Sequence, residues 1–256
     1  MNSLEIIILG ALQGITEFLP ISSSGHLVIL QSLFGLKEML FYDVLLHFAT
    51  LLAIFVLFFK DIIEYVRNIK ILLYIILLTI PTGIIGLFIK KYLSFVYDSM
   101  LASGVFLLLT GSVLFLADKS SQSVKTKSVK EINFFDAIII GVAQGIAVLP
   151  GISRSGATLA TSLLLGIERK DAVKFIFIAS IPAILAATFL ETKEAVEASQ
   201  VTFNSMFLYG MLTAFVVGII FLKFLISFVN NKKLRYFSYY CWLVGLVAII
   251  IYFIKS

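Results

Sequence analysis

Charged residues are scarce in this 256-residue chain: only 14% are Asp, Glu, Lys or Arg, whereas 60% are hydrophobic. A soluble domain needs more polar surface than this, so lipid must be the solvent for most of the chain. The single cysteine, Cys241, excludes an intrachain disulfide framework. No basic segment precedes the first apolar run, which Glu5 interrupts, so we expect no cleavable signal peptide. The composition therefore predicts a membrane protein.

Long apolar runs without period-two alternation indicate helices, because a bilayer core offers no water to unpaired backbone groups. A run of about 20 residues is long enough to cross the hydrocarbon layer. Six runs meet this requirement: Phe41–Phe59, Ile71–Ile89, Met100–Ala117, Ala172–Leu190, Met206–Val229 and Tyr236–Ile254. They predict six transmembrane helices.

Two further apolar regions, Leu4–Gly35 and Phe135–Gly166, are each interrupted by proline, glycine and serines. Such a break frees backbone groups and does not suit a helix that faces lipid. We therefore expect each region to form a re-entrant hairpin of two half-helices inside the bundle. The predicted fold class is an all-α polytopic membrane protein with six transmembrane helices plus two re-entrant helical hairpins.

The two broken regions resemble each other. With a shift of 131 positions, 10 of the 29 residues from Gly10 to Glu38 are identical to their counterparts from Gly141 to Arg169. Three spans follow each hairpin, and three is odd, so the second copy enters the membrane from the opposite face. The pattern predicts an inverted-topology repeat whose broken helices meet near the midplane. We expect a single membrane domain, 1–256, with repeats at about 4–117 and 135–254 joined by a cytoplasmic linker, 118–134.

Loop charges predict the orientation, since cytoplasmic loops carry an excess of Lys and Arg. One face holds thirteen such residues: Lys60, Arg67, Lys70, Lys119, Lys125, Lys127, Lys130, Arg169, Lys170, Lys174, Lys232, Lys233 and Arg235. The other holds five: Lys37, Lys90, Lys91, Lys193 and Lys255. We therefore expect both termini and the mouth of the first hairpin outside the cytoplasm, with a solvated outer loop over Glu191–Glu197.

Polar residues at membrane depth point to function, because a charge near the bilayer centre is costly. The first break carries Gln13, Glu17, Ser22, Ser23, Ser24 and His26, and the second carries Gln144, Ser153, Arg154, Ser155 and Thr158. Serines at half-helix starts offer hydroxyls and free N–H groups to an anion. Arg154 can hold two phosphoryl oxygens in a fork. Together these residues predict a phosphate-handling site.

The motifs QGITE (Gln13–Glu17), LPISSSGH (Leu19–His26) and PGISRSGAT (Pro150–Thr158) resemble the undecaprenyl-diphosphate phosphatase family, the bacitracin-resistance proteins. The resemblance covers essentially the whole chain. It implies hydrolysis of undecaprenyl diphosphate to undecaprenyl phosphate and inorganic phosphate, which recycles the cell-wall lipid carrier. It also implies a bacterial inner-membrane location, an active site that opens to the periplasm, and a divalent cation, Mg²⁺ or Ca²⁺. Expected partners are the polyprenyl diphosphate and membrane lipids, without nucleic acid; a homodimer is left open.

Carried onto matching positions, the resemblance implies catalytic roles for Glu17, Ser23, His26 and Arg154. The surrounding residues implied to bind substrate are Gln13, Ser22, Ser24, Gly25, Ser153, Ser155, Gly156 and Thr158. The family's first motif often begins with Glu, whereas this chain has Gln13, so Glu17 is the expected metal carboxylate. His47, one turn after Asp43, is interpreted as half of a buried structural pair or as support for the site.

The sequence leaves the nucleophile open. Ser23 could attack the terminal phosphorus with His26 as base or acid, or His26 could itself form a phosphohistidine. The alternative function is a secondary transporter or flippase of an anionic or polyprenyl-phosphate substrate, since inverted repeats with broken helices are typical of transporters. Phosphate release in detergent, where no transport occurs, separates the two.

Overall fold

The computed structural model describes residues 2–36, 40–120, 126–197, 205–231 and 234–255. The charged residues Lys37, Lys125, Lys232 and Lys233 of the loop count lie outside these ranges. Ten α-helices form within them. They are α1 (Ser3–Phe18), α2 (Ser23–Phe34), α3 (Leu40–Arg67), α4 (Ile69–Tyr92), α5 (Met100–Ser120), α6 (Phe134–Ile146), α7 (Arg154–Leu164), α8 (Arg169–Glu197), α9 (Phe207–Asn231) and α10 (Arg235–Lys255). The only β pairing in the described ranges is one isolated bridge between Lys127 and Ile167.

Six helices are long and apolar enough to cross a membrane: α3, α4, α5, α8, α9 and α10. All six predicted spans are confirmed, and the chain is a multi-pass membrane protein. Most helix ends extend beyond the predicted runs, but α5 starts at the predicted Met100 and α9 starts at Phe207, one residue inside its run. The expected outer loop over Glu191–Glu197 is wrong, because α8 continues as helix through Glu197. Charged residues pair along this extension, as Lys90 Nζ does with Glu194 Oε2 at 2.5 Å.

The two interrupted regions form two pairs of short helices. α1 has 16 residues and α2 has 12, while α6 has 13 and α7 has 11. At 1.5 Å per residue, none exceeds about 24 Å, which is too short for a perpendicular crossing of a 30 Å core. α2 and α7 begin in the same way: the Ser22 hydroxyl accepts from Gly25 N and the Ser153 hydroxyl accepts from Gly156 N. Equivalent serines therefore cap both second half-helices.

Helices of the two chain halves pack in matching pairs. α1 lies against α9, α6 lies against α4, α3 contacts α8, and α5 contacts α10. Glycines permit the closest crossings. A Cβ on Gly10 would lie 2.3 Å from the Gly210 carbonyl oxygen, and one on Gly141 would lie 2.3 Å from the Leu78 carbonyl oxygen. Small residues at such crossings let helix backbones approach closely in lipid.

We expect Gly141→Ala to destabilise the protein, because the added methyl group would meet the Leu78 backbone and the Pro81 ring, 2.7 Å away. Overpacking of this kind costs about 1–3 kcal/mol. Gly83→Ala is the matched control, since a Cβ there has no atom within 4 Å. Thermal unfolding of detergent-solubilised protein measures both. Equal melting temperatures for the two variants would show that the α4–α6 crossing is loose.

The core lies where the long helices surround the first break. Phe18 at the end of α1 is fully buried, and its ring packs edge-on against Phe177 of α8 with centroids 5.6 Å apart. Phe58 of α3 stacks on the same Phe177 ring. This aromatic cluster fixes the C-terminal end of α1, and with it the position of Glu17.

Ion pairs and backbone hydrogen bonds also join several helix ends to one another. Lys127 bonds Asp136 of α6 at 2.6 Å, and its backbone pairs with Gly166 and Glu168 around the Ile167 bridge. Lys174 of α8 bonds Asp61 of α3 at 2.5 Å. α5 continues to Ser120 and α6 starts at Phe134, so both helices reach into the predicted linker. Between them, the structure describes the chain from residue 126 onward.

Candidate active site

The turns that break the two short-helix pairs lie against each other. The backbone N–H of Gly151 in the second turn donates to the Ser22 hydroxyl in the first at 3.1 Å. In return, the Ser155 hydroxyl donates to the Leu19 carbonyl at 3.0 Å. A Cβ on Gly25 would lie only 2.8 Å from Gly151 Cα, so glycine is required at this contact. The amino ends of α2 and α7 are therefore adjacent in space, although Ser22 and Gly151 lie 129 positions apart in the sequence.

Each turn contains a residue with positive φ, and one threonine stabilises the second turn by hydrogen bonds. Ser22 has φ 70°, an uncommon value for a residue other than glycine, and Gly151 has φ 96°. Thr110 of α5 fixes the second turn, because its hydroxyl donates to the Gly151 carbonyl at 2.8 Å and accepts from Ser153 N at 3.1 Å. Sequence reasoning missed Thr110, which looks like any hydroxyl in an apolar span.

Glu17 is the centre of the polar cluster at this contact. Its carboxylate Oε2 accepts a hydrogen bond from the Ser23 hydroxyl at 2.5 Å and one from Gln13 Nε2 at 3.1 Å. Arg154 of α7 donates to the other oxygen, Oε1, and forms an ion pair. The Glu17 side chain is only 5% exposed, so the guanidinium compensates a charge that water hardly reaches.

His47 of α3 is the second ionisable neighbour of Glu17. Its Nε2 lies 3.6 Å from Glu17 Oε2, while its Nδ1 donates to the Asp43 backbone carbonyl at 2.8 Å. The Asp43 carboxylate is held instead by Gln31 Nε2, at 2.8 and 3.1 Å. The expected Asp43–His47 pair is therefore a bond to the main chain, and the imidazole faces Glu17.

A small cleft, partly open to solvent, adjoins the Glu17–Arg154 pair. Polar side chains of the short helices form one part of the lining, and three apolar side chains and Ser180 of α3 and α8 form the other. The lining residues are Glu17, Ile54, Arg154, Ser155, Thr158, Ile176, Phe177 and Ser180. A mixed wall of this kind suits a polar head group attached to an apolar chain.

His26 points away from Ser23. Its Nδ1 donates to the Ser22 carbonyl at 2.7 Å, and its Nε2 lies 3.0 Å from the Tyr240 hydroxyl. The two rings also stack with an interplanar angle of 6°. Because the Ser23 hydroxyl donates to Glu17, the geometry does not support His26 as the base that activates Ser23. Tyr240 had no signal in the sequence, since it is one of several tyrosines at the start of α10.

The remaining implied binding residues divide between the cleft and the turns. Thr158 lines the cleft and donates to the Arg154 carbonyl at 2.7 Å. The hydroxyl oxygens of Ser24 and Ser22 lie 3.4 Å apart, and those of Ser155 and Ser153 lie 3.2 Å apart.

Gly156 completes the second turn. A Cβ there would lie 3.0 Å from the Ser153 side chain and 3.3 Å from Pro20. Ser22, Gly25, Ser153 and Gly156 thus build the turns that carry the reactive side chains.

The arrangement combines a serine hydroxyl, a carboxylate that accepts the hydrogen bond from this hydroxyl, a guanidinium and the amino ends of two helices. Positive helix ends and a forked guanidinium attract phosphoryl oxygens. A serine hydroxyl bonded to a carboxylate is the arrangement of an activated nucleophile. The cluster therefore contains the groups that phosphoryl transfer needs.

Comparison with known proteins agrees with this chemistry. The profile of the bacitracin resistance protein BacA family matches residues 6–247. The undecaprenyl-diphosphatase of Alkaliphilus metalliredigens (strain QYMF) is 42% identical over an alignment that covers 98% of each chain. That of Methanosphaera stadtmanae is 37% identical over an alignment that again covers 98% of each chain. The chain belongs to the family of the bacitracin resistance protein BacA.

Proposed function

We propose that this membrane protein hydrolyses undecaprenyl diphosphate to undecaprenyl phosphate and inorganic phosphate. The observation that carries the proposal is the Glu17 carboxylate, which contacts both the Ser23 hydroxyl and Arg154 across the joined turns. Full-length relatives named undecaprenyl-diphosphatase support the substrate. A transporter needs a group that binds the anion, whereas this site also holds a nucleophile and a proton acceptor.

In the proposed reaction the Ser23 oxygen bonds to the terminal phosphorus, and the bond from that phosphorus to the bridging oxygen breaks. Undecaprenyl phosphate leaves with the bonding electrons, and Glu17 receives the serine proton. Water then attacks the phosphoserine, which releases inorganic phosphate and restores Ser23. Arg154 turns from Glu17 toward the equatorial oxygens and stabilises their charge. We favour this route over a phosphohistidine because both His26 nitrogens already have partners.

A divalent cation completes the proposal. The described residues contain no cluster of three or more His, Cys, Asp or Glu side chains that could hold a metal ion. Mg²⁺ sites, however, often use one or two carboxylates plus substrate phosphates. Glu17 offers the carboxylate, and Gln13 Oε1 is a buried oxygen without a hydrogen-bond partner. These two oxygens would hold the cation, which would supply positive charge next to the diphosphate.

The proposed setting is the bacterial cytoplasmic membrane, with both termini and the site mouth on the periplasmic side. The excess of Lys and Arg at the opposite side supports this orientation. We also propose that α1–α2 and α6–α7 are re-entrant hairpins of an inverted repeat, 4–117 and 135–254. The equivalent serine caps and the paired crossings of α1 with α9 and α6 with α4 support the duplication.

Phosphate release from undecaprenyl diphosphate by purified protein in detergent tests the function. We expect turnover with Mg²⁺ and loss of about tenfold or more with excess EDTA, restored by adding the cation back. Detergent micelles have no two sides, so a pure transporter would release no phosphate. Folded protein that leaves the diphosphate intact with added cation would favour the transport alternative.

A further inference from the structure

The two turns at the site differ in the backbone of their equivalent serines. Ser22 has φ 70°, whereas Ser153 has φ −73°. A positive φ is unfavourable for a residue other than glycine and persists only where the surroundings hold it. The N–H groups of Gly25 and Gly151 hold the Ser22 hydroxyl. Its backbone carbonyl is held by a different group.

His26 holds the Ser22 carbonyl twice. Its ring atom Nδ1 lies 2.7 Å from the carbonyl oxygen, and its backbone N donates to the same oxygen at 3.3 Å. The equivalent position in the second turn is Ala157, which bonds the Ser153 carbonyl through its backbone N at 2.7 Å. An alanine has no side-chain donor, so the additional bond from an imidazole belongs to the turn whose serine has a positive φ.

This bond requires a proton on His26 Nδ1, because a backbone carbonyl only accepts. In the neutral ring Nε2 is then an acceptor, and the Tyr240 hydroxyl lies 3.0 Å from it. The two rings are nearly parallel, with an interplanar angle of 6° and centroids 5.6 Å apart. The hydrogen bond at one ring nitrogen determines which nitrogen carries the proton. A phenol that donates to Nε2 therefore favours the tautomer that the Ser22 carbonyl needs.

The turn that is held in this way precedes the proposed nucleophile. Ser23 follows Ser22 directly, and its hydroxyl donates to Glu17 Oε2 at 2.5 Å. The direction of that hydroxyl depends on the backbone of the turn. Among the described residues, the lining of the cleft beside Glu17 includes neither His26 nor Tyr240. An effect of these two side chains on the reaction must therefore pass through the turn.

We infer that Tyr240 is a positioning residue for the phosphoryl transfer. Its hydroxyl keeps the His26 proton on Nδ1, and the imidazole in turn holds the Ser22 carbonyl. The turn then directs the Ser23 hydroxyl at Glu17. The inference rests on the proposed function for its kinetic consequence, since attack by Ser23 is the step that the turn prepares.

The ¹⁵N resonances of the histidine rings test the contact, because protonated and unprotonated ring nitrogens have well-separated chemical shifts. The chain has only two histidines, so the signals that disappear in His26→Ala are those of His26. In purified, histidine-labelled protein we expect a protonated Nδ1 and an unprotonated Nε2. In Tyr240→Phe the Nε2 signal should shift, or the proton should move to Nε2. A protonated Nε2 in the wild type, or the same His26 signals in Tyr240→Phe, overturns the inference.

Steady-state phosphate release tests the consequence. Tyr240→Phe removes one hydroxyl and keeps the ring that stacks on His26. We expect kcat to fall about fivefold, the factor that one hydrogen bond contributes, and KM to stay within about twofold. The matched control is Tyr239→Phe, because the neighbouring ring is exposed to a similar extent and packs against Phe115 and Trp242. A kcat loss below about threefold in Tyr240→Phe, or an equal loss in the control, overturns the inference.

A double-variant cycle shows whether Tyr240 acts through His26. Without the imidazole there is no tautomer to fix, so adding Tyr240→Phe to His26→Ala should change kcat by less than about twofold. Losses that multiply overturn the inference. A hydroxyl with only a structural role would lower the melting temperature and leave kcat unchanged. The spectra require no substrate, so a wild type without turnover contradicts the proposed function, while the His26 signals still decide whether Tyr240 sets the tautomer.

Discussion

Arg154→Ala is expected to lower kcat/KM for undecaprenyl diphosphate by about 10³-fold or more. A guanidinium that stabilises the transferred phosphoryl group contributes about 10³–10⁵ in phosphoryl-transfer enzymes. The substitution also leaves Glu17 as a buried carboxylate without its counter-charge, and that charge repels the diphosphate. Phosphate release at several substrate concentrations in detergent separates kcat from KM.

Arg154→Lys tests whether the paired donors of the planar guanidinium are needed. Lysine keeps the positive charge and loses the planar pair of donors, so we expect activity between that of Arg154→Ala and the wild type. Arg235→Ala is the matched control for removing an arginine. Arg235 begins α10, where its guanidinium lies over the Tyr236 ring at 5.9 Å, far in the sequence from either turn. It should change activity by about twofold at most, as a surface substitution does.

If the Glu17–Arg154 ion pair had only a structural role, the opposite result would be expected. Replacing a buried pair by apolar residues is often neutral for stability, whereas removing one partner is costly. If Glu17 and Arg154 only join α1 to α7, the double variant Glu17→Leu with Arg154→Leu should retain both its fold and its phosphatase activity. We expect it to fold and to be inactive. Activity above about a tenth of the wild type in either Arg154→Ala or the double variant would contradict the catalytic role.

The long spans were predictable because each is a local property of the chain. A run of apolar residues long enough for the bilayer must be helical whatever surrounds it, and α3, α4, α5, α8, α9 and α10 all follow this rule. The breaks after Phe18 and Ile146 were equally local, since proline, glycine and serine lie there. Helix ends were less predictable: α8 continues through Glu197 because charged residues can extend a helix into water.

The candidate site was predictable only in part. The motifs LPISSSGH and PGISRSGAT both contain Ser-x-Ser-Gly, and this repetition indicated two equivalent turns. The contacts between the turns depend on packing of helices far apart in the sequence. Thr110 fixes the second turn from α5, and His47 reaches Glu17 from α3. Neither residue carries a local pattern that distinguishes it from other polar residues in apolar spans.

His26 shows how a motif can mislead about contacts. It lies three positions after Ser23, a spacing that places both on one side of a helix and favours an interaction. Ser23 is the first residue of α2, however, and its hydroxyl turns back to Glu17 at the end of α1. The imidazole instead stacks on Tyr240 of α10. The partner of the serine was therefore decided by the turn, which the helical spacing does not describe.

Ser23→Ala should reduce turnover by about 10⁴-fold or more, because removing a nucleophile abolishes the covalent route and leaves only binding and electrostatic stabilisation. Ser24→Ala is the matched control one residue away. Its hydroxyl lies 3.4 Å from the Ser22 hydroxyl and makes no hydrogen bond to Glu17, so we expect a loss of less than about tenfold. Both changes remove one hydroxyl from the first turn of α2, so their difference isolates the contact with Glu17.

The intermediate itself provides the second readout. With substrate labelled in its terminal phosphate, rapid quenching should leave an acid-stable label on the peptide that contains Ser23, as a phosphoserine does. Glu17→Gln should slow its formation, since an amide cannot take the serine proton while Arg154 still binds the phosphate. A label that is lost in acid but survives base belongs to an imidazole. Found on His26, it would mean that the imidazole leaves Tyr240 to attack the phosphorus, and that the 2.5 Å bond from Ser23 to Glu17 only holds the turn in place.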